Sequence, residues 1–227
     1  GVKTVWAAAA FFQTYIILNI KSAGNTYYDA GATTGNPDFL GANLGTFTTS
    51  DTLLLNGGEA KTYKNTGSNI TTVYMDYCVY PSSGSCSGGF TSVQLPWDSD
   101  LDSCGDGACD QKWDKTDAGI NILQGLTPGD YTLAVYFHAD TNNVDCPNPF
   151  YDNRGGANYT ASFTLNNPTA IVLSSFGATP QSEGIRITWE TAAELQNLGF
   201  NLYRGESFTG PWVKLNAALI PAQNPGA

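Results

Sequence analysis

Glycine, asparagine and proline recur at short intervals and divide the apolar residues of this chain into segments of strand length. The clearest segment is 130–137, Asp-Tyr-Thr-Leu-Ala-Val-Tyr-Phe, which follows the turn residues Leu-Thr-Pro-Gly. Such segments are rich in aromatic and β-branched residues, and an apolar period of 3.6 residues is nearly absent. The pattern predicts an all-β protein.

Residues 1–168 are predicted to form one extracellular domain of about eight to ten strands, a jelly-roll-like antiparallel β-sandwich. A hairpin is expected between 52–55 and 59–64, because Asn-Gly-Gly lies between these segments. A second hairpin is expected between 70–80 and 90–95. The sequence thus predicts sheets built largely from neighbouring strands.

An apolar run within residues 2–20 is predicted to form one long strand or two consecutive strands. Polar residues at 13–15 interrupt the run, and it is shorter than the roughly 20 residues that a membrane-spanning helix needs. Its second half, 14–20, is rich in β-branched and aromatic residues. Because both faces of such a strand are apolar, both must be buried, and we do not expect the chain to span a membrane.

The remaining residues, 169–227, are predicted to form a second, incomplete β-sandwich. A sandwich of this size usually has about seven strands and about 100 residues. The region contains about four strand-like segments, at 171–174, 185–190 (with a core Trp189), 199–204 and 211–215. We therefore expect open strand edges, with the missing strands cut away, unobserved or supplied by another chain.

The charge balance excludes some classes of partner. The chain has 20 acidic and 10 basic residues, a formal net charge of −10, and no basic cluster. This argues against binding to nucleic acid or to an anionic membrane surface. Charged residues make up only 13% of the chain, and uncharged polar residues supply the polarity, as in many secreted β proteins. We expect an extracellular or cell-surface location.

Five cysteines lie between Cys78 and Cys146, and none has Cys-x-x-Cys spacing, so the pattern does not fit a zinc site or haem attachment. Clustered cysteines in such a chain favour disulfides and an oxidising compartment. Cys78 is expected to pair with Cys86 across a turn. Cys104, Cys109 and Cys146 compete for a second disulfide, and the odd count leaves one thiol. The alternative is a set of reduced or buried thiols.

A group of acidic residues in the segment 97–110 is a candidate calcium site. Ca²⁺ takes six to eight oxygen ligands from flexible loops, and carboxylates separated by small residues suit it. The segment is not an EF-hand, because Ser103 and Cys109 replace the glycine and glutamate of that motif. The alternative is a solvated acidic loop held by Cys104 and Cys109. The candidate ligands are Asp98, Asp100, Asp102, Asp106 and Asp110.

Aromatic residues in predicted loops and at strand ends are candidates for stacking on sugars, although capping of the sandwich ends is the favoured alternative. These residues are Tyr27, Tyr28, Trp97, Trp113 and Tyr151. The chain has one histidine, His138, at the end of the strongest strand, and without a nucleophile motif nearby it is expected to be structural. No catalytic motif is present, so we predict that the protein is not an enzyme and needs no cofactor besides calcium.

Two sets of residues carry a resemblance to large secreted bacterial proteins. Segments 187–191, 194–204 and 210–216 resemble the fibronectin type III-like module found near the C termini of cell-surface proteins in filamentous and gliding bacteria. The match covers about the last quarter of the chain, and the later strands of the module are missing. Segments 36–47 and 128–133, with the Gln-Lys-Trp of 111–113, resemble an extracellular β module that precedes such regions. Both resemblances imply a surface or secreted location.

The leading prediction from the sequence is a structural subunit of an extracellular filament, pilus or surface layer. Each subunit would insert its N-terminal strand into a groove of its neighbour, which gives a head-to-tail polymer of identical copies. The inserted side chains would be Val5, Trp6, Phe11 and Phe12. The alternative is a carbohydrate-binding or adhesive module of a larger secreted protein, with a surface polysaccharide as its partner.

Overall fold

A computed structural model describes residues 8–31, 35–105, 107–142, 148–166, 171–194 and 197–223. The chain divides into two compact units, Gly1–Asn166 and Asn167–Ala227. The described residues form strands, turns and one short 3₁₀ helix, Arg154–Gly156, so the predicted all-β class is confirmed. The described part contains no helix that is both long enough and apolar enough to cross a membrane. Four residues named above lie outside the described part: Val5, Trp6, Asp106 and Cys146.

Unit 1 is a sandwich of two six-stranded sheets. The first sheet contains β1 (Ala9–Ile20), β2 (Asn25–Asp29), β4 (Leu53–Lys64), β7 (Trp97–Asp100), β8 (Cys109–Lys115) and β9 (Ile120–Asn121). The second sheet contains β3 (Asn43–Thr48), β5 (Ile70–Pro81), β6 (Thr91–Leu95), β10 (Gly129–Thr141), β11 (Phe150–Asp152) and β12 (Tyr159–Asn166).

The order of the first sheet is β2-β1-β4-β8-β7, with β9 beside β4, and that of the second is β3-β12-β10-β5-β6, with β11 beside β10. Neighbouring strands are antiparallel except for the parallel pair of β3 and β12. These sheets confirm the predicted antiparallel β-sandwich.

The core lies between the two sheets, where alternate side chains of each strand meet. Along β10, Leu133, Val135 and Phe137 point inward and are fully buried. In β1, residues 14–18 are all buried, on both sides of the strand. The N-terminal apolar run thus forms a strand from Ala9 onward, and its burial on both faces is limited to residues 14–18.

The predicted hairpin around Asn56-Gly57-Gly58 is wrong, because β4 runs through these residues without a turn. Here β4 passes from pairing with β9 to pairing with β8 while it stays beside β1. A Cβ atom on Gly57, whose φ is +119°, would lie 2.2 Å from the Lys115 carbonyl oxygen. A Cβ atom on Gly58 would lie 2.7 Å from the Tyr15 carbonyl oxygen. The glycines serve close approach of neighbouring strands rather than a reversal of the chain.

The second predicted hairpin is confirmed by the antiparallel pairing of β5 with β6. The loop between these strands is closed by the disulfide Cys78–Cys86, and Cys104 is joined to Cys109, the first residue of β8. Both bonds follow the expectation of disulfides in an oxidising compartment.

Unit 2 is formed by paired strands. A long hairpin joins β13 (Val172–Gln181) to β14 (Gly184–Ala193). Two short pairs follow, β15 (Gly199–Phe200) with β18 (Ile220–Pro221), and β16 (Tyr203–Gly205) with β17 (Trp212–Lys214).

Trp189, which was expected in the core of unit 2, is only half-buried and packs edge-on against Phe200 with ring centroids 5.6 Å apart. Many apolar side chains of this unit are exposed, including Phe176 at 58%. The likeness to a fibronectin type III module stays a prediction.

Candidate functional site

The outer face of the second sheet carries a group of aromatic side chains that the core does not need. Because side chains alternate along a strand, Tyr136 and His138 of β10 point away from the buried Val135 and Phe137. His138 is opposite Tyr74 on β5 and opposite Tyr151 on β11. We call this group the aromatic ridge and define it as Tyr74, Phe90, Tyr136, His138 and Tyr151.

The rings of the aromatic ridge contact one another across three strands. Tyr74 and His138 are stacked, with centroids 4.8 Å apart and planes 16° apart. Tyr151 lies 6.1 Å from both Tyr136 and His138, and Phe90 lies 4.9 Å from Tyr136. Tyr151 is 53% exposed, whereas the other four are half-buried. The ridge therefore presents one solvent-exposed ring, that of Tyr151, beside four partly buried rings that pack against one another.

A buried carboxylate fixes the orientation of the imidazole. Asp76 on β5 is 2% exposed, and one of its oxygens contacts Nδ1 of His138. Its other oxygen accepts a hydrogen bond from the Ser92 hydroxyl on β6. On the same face, the Asp140 carboxylate accepts a hydrogen bond of 2.7 Å from the Thr72 hydroxyl. Asp76 on β5, itself held by Ser92 on β6, thus positions His138 of β10.

These surroundings raise the pKa values of two residues in the ridge, His138 and Tyr136. The hydrogen bond to Asp76 raises the pKa of His138 against the opposing effect of burial, and the charges of Asp76 and Asp140 add to the increase. Burial raises the pKa of Tyr136, and the nearby charge of Asp76 raises it further. The contact with Asp76 therefore favours the protonated imidazole of His138, and its surroundings favour the protonated phenol of Tyr136.

The outer face of the first sheet has a different character. Lys112 of β8 lies 3.1 Å from Asp114, 3.3 Å from Asp98 and 3.6 Å from Glu59. Burial opposes the charge of Lys112, but these three carboxylates together raise its pKa above the ordinary value. This face is a network of ion pairs that includes lysine, so the two outer faces of the sandwich differ in charge.

The carboxylates predicted to bind calcium have partners within the protein. Asp98 pairs with Lys112, Asp100 accepts a hydrogen bond of 3.0 Å from Gln111, and Asp102 accepts one of 2.8 Å from the Asp110 amide. In the described part of the chain, the side chains that converge as possible ligands are Asp100, Cys104 and Cys109, within 4.8 Å of one another. Those two sulfurs form a disulfide and are not thiolates. Calcium binding stays a prediction.

The aromatic residues named from the sequence lie in several places. Trp113 is buried and donates a hydrogen bond of 3.0 Å to Thr62. Tyr27 and Tyr28 pack edge-on against Tyr15 and Phe39. Trp97 is 54% exposed at the edge of the first sheet, and Tyr151 alone among the five belongs to the aromatic ridge.

Sequence reasoning missed Tyr74, Phe90 and Tyr136 and took His138 as an isolated residue. The usable signal was the period-two pattern of β10, in which Tyr136, His138 and Asp140 share one face. Their neighbours on β5 depend on the strand register, which the sequence did not provide.

The chain was compared with protein-family models, curated proteins and solved structures. No protein-family model and no curated protein matches the chain. Among solved structures, the chain is similar to the crystal structure of a cellulose-active polysaccharide monooxygenase from M. thermophila, with 13% sequence identity and a TM-score of 0.27. The match covers 77% of this chain and 83% of the other.

The prediction of a filament subunit is corrected. Phe11 packs into its own sandwich, 5.0 Å from Phe150 and 6.4 Å from Phe137, and β1 pairs with its own β2 and β4. Phe12 is 45% exposed at an irregularity in that pairing. The strand proposed for donation to a neighbour is thus, from Ala9 onward, part of its own fold.

Proposed function

We propose that this chain is a carbohydrate-binding or adhesive module of a secreted protein and that the aromatic ridge contacts the glycan. The observation that carries the proposal is the clustering of four aromatic rings and an imidazole on one outer sheet face, with Tyr151 53% exposed. Tyrosine rings combine an apolar body with a polar tip, which suits a sugar that has both C–H faces and hydroxyls.

The ridge divides these tasks between its residues. Tyr151 offers an exposed ring that can cover an apolar sugar face. Tyr74, Tyr136 and His138 offer hydroxyl and imidazole groups along the packed row beside it. His138 is held by Asp76, so little conformational entropy is lost when it forms a hydrogen bond to a ligand. Two disulfides are typical of the oxidising compartments in which such modules act.

The test is retention on a panel of insoluble polysaccharides, followed by measurement of Kd for a retained one. Tyr151→Ala is expected to weaken binding about tenfold, as loss of a contact of about 1.4 kcal/mol would do. Trp97→Ala is the matched control, because Trp97 is exposed to the same extent but lies at the edge of the first sheet. Retention on none of the polysaccharides, or equal losses in both variants, would contradict the proposal.

A further inference from the structure

The strands of the second sheet differ from those of the first in their charged residues. None of the six strands of the second sheet contains Lys or Arg, although they contain four aspartates. The lysines found in strands of unit 1 all belong to the first sheet, on β4 and β8. These aspartates are Asp76, Asp130, Asp140 and Asp152.

Around the aromatic ridge, carboxylates outnumber bases. Asp76 pairs with His138. Within the described part of the chain, the half-buried Asp140 accepts its side-chain hydrogen bond from the Thr72 hydroxyl rather than from a base. The nearest cation along the chain, Arg154, follows β11, and its guanidinium donates a hydrogen bond of 3.1 Å to the Asn158 carbonyl. The ridge therefore carries an excess of negative charge even when His138 is protonated.

We infer that the aromatic ridge selects neutral and amino-bearing glycans and rejects anionic ones; this inference rests on the proposed function. Recognition of a uronate or a sulfate requires cationic donors. The strands beneath the ridge lack lysine and arginine, and the imidazole of His138 is already paired with the Asp76 carboxylate. A like charge brought against Asp140 also costs binding free energy. A sugar ammonium would instead be attracted by Asp140 and by the faces of the tyrosine rings.

The inference is tested with three β-1,4-linked hexasaccharides, of glucose, of glucosamine and of mannuronic acid, whose Kd values are measured by calorimetry at pH 6. We expect the glucosamine hexamer to bind about tenfold more tightly than the glucose hexamer, as one attractive charge contact of about 1.4 kcal/mol implies. The mannuronate hexamer should show no measurable binding.

Two further variants assign the effect to Asp140. Asp140→Asn should remove most of the preference for glucosamine over glucose, and Tyr151→Ala should weaken both ligands. Asp130→Asn is the control, because Asp130 lies at the far end of the same strand and accepts a similar hydrogen bond, of 2.7 Å, from Thr164.

Tight binding of the mannuronate hexamer that is lost in Tyr151→Ala would overturn this inference but leave the proposed function intact. Failure of both the glucose and the glucosamine hexamer to bind would also overturn it. The proposed function itself is decided by the polysaccharide panel and the comparison of Tyr151→Ala with Trp97→Ala.

Discussion

At the scale of single residues, His138 links the ridge to the stability of the fold. Its pKa is raised in the folded protein, mainly by the hydrogen bond to Asp76. A raised folded pKa means that the imidazolium stabilises the native state fully below the unfolded pKa of about 6.5. This stabilisation is lost as the pH rises through the folded pKa of His138.

We therefore expect the Tm of unit 1 to fall as the pH is raised from about 6 to 9, a range in which ordinary carboxylates stay ionised. His138→Gln should flatten the pH dependence, because glutamine carries no titratable proton. The measurement is thermal unfolding of both proteins across this range. A wild-type Tm that rises with pH, or that follows the curve of the variant, would show that the Asp76–His138 pair does not contribute in this way.

The residues of the ridge also show where sequence reasoning stops. In β10, aromatic side chains occupy both faces, with Tyr131 and Phe137 buried and Tyr136 on the outside. Alternation alone predicts that two faces exist, but it does not say which one meets solvent. That choice depends on the position of the first sheet.

At the scale of strands, the sequence predicted which segments form strands better than it predicted which strands pair. The strands of the β5–β6 hairpin and the core of β10 followed from alternation and turn residues. The hairpin predicted at the Asn-Gly-Gly segment of β4 is wrong because these residues favour a turn locally, whereas contacts with β1 and β8 decide their conformation. Those contacts involve residues far apart in the sequence, so no local pattern could reveal them.

Gly57 provides a test of this explanation. Gly57→Ala should lower the free energy of unfolding by about 2–4 kcal/mol, because the new Cβ would meet the Lys115 carbonyl and the backbone φ is positive. Gly88→Ala is the control, since no atom lies within 4 Å of its added Cβ. The stabilities of both variants are compared by chemical denaturation. A Gly57→Ala protein as stable as the control would contradict the role of Gly57 in the close approach of neighbouring strands.

The acidic segment around β7 has a test at the same scale. Calcium binding would have to compete with the ion pair of Asp98 with Lys112 and with the hydrogen bonds of Asp100 and Asp102. If the predicted site exists, 1 mM Ca²⁺ should raise the Tm by about 4 °C or more for a Kd near 10 µM, and a chelator should reverse the increase. An unchanged Tm in Asp98→Asn and wild-type protein alike would exclude the site.

At the scale of the whole molecule, the sandwich of unit 1 is polarised. The first sheet carries lysines in ion pairs with carboxylates, whereas the strands of the second sheet carry aspartates but neither lysine nor arginine. The overall net charge of −10 was evident from the composition, but its uneven distribution between the faces required the strand order. The proposed glycan site lies on the second sheet, whose strands lack lysine and arginine.

The most direct test uses the fact that the chain has one histidine. The imidazole of His138 therefore gives a single set of resonances in a heteronuclear NMR spectrum, at the centre of the aromatic ridge. Titration with a polysaccharide fragment that the protein retains should shift these resonances in a saturable manner, with the Kd measured by calorimetry. Binding of the same fragment without any change in the His138 resonances would contradict the assignment of the glycan site to this ridge.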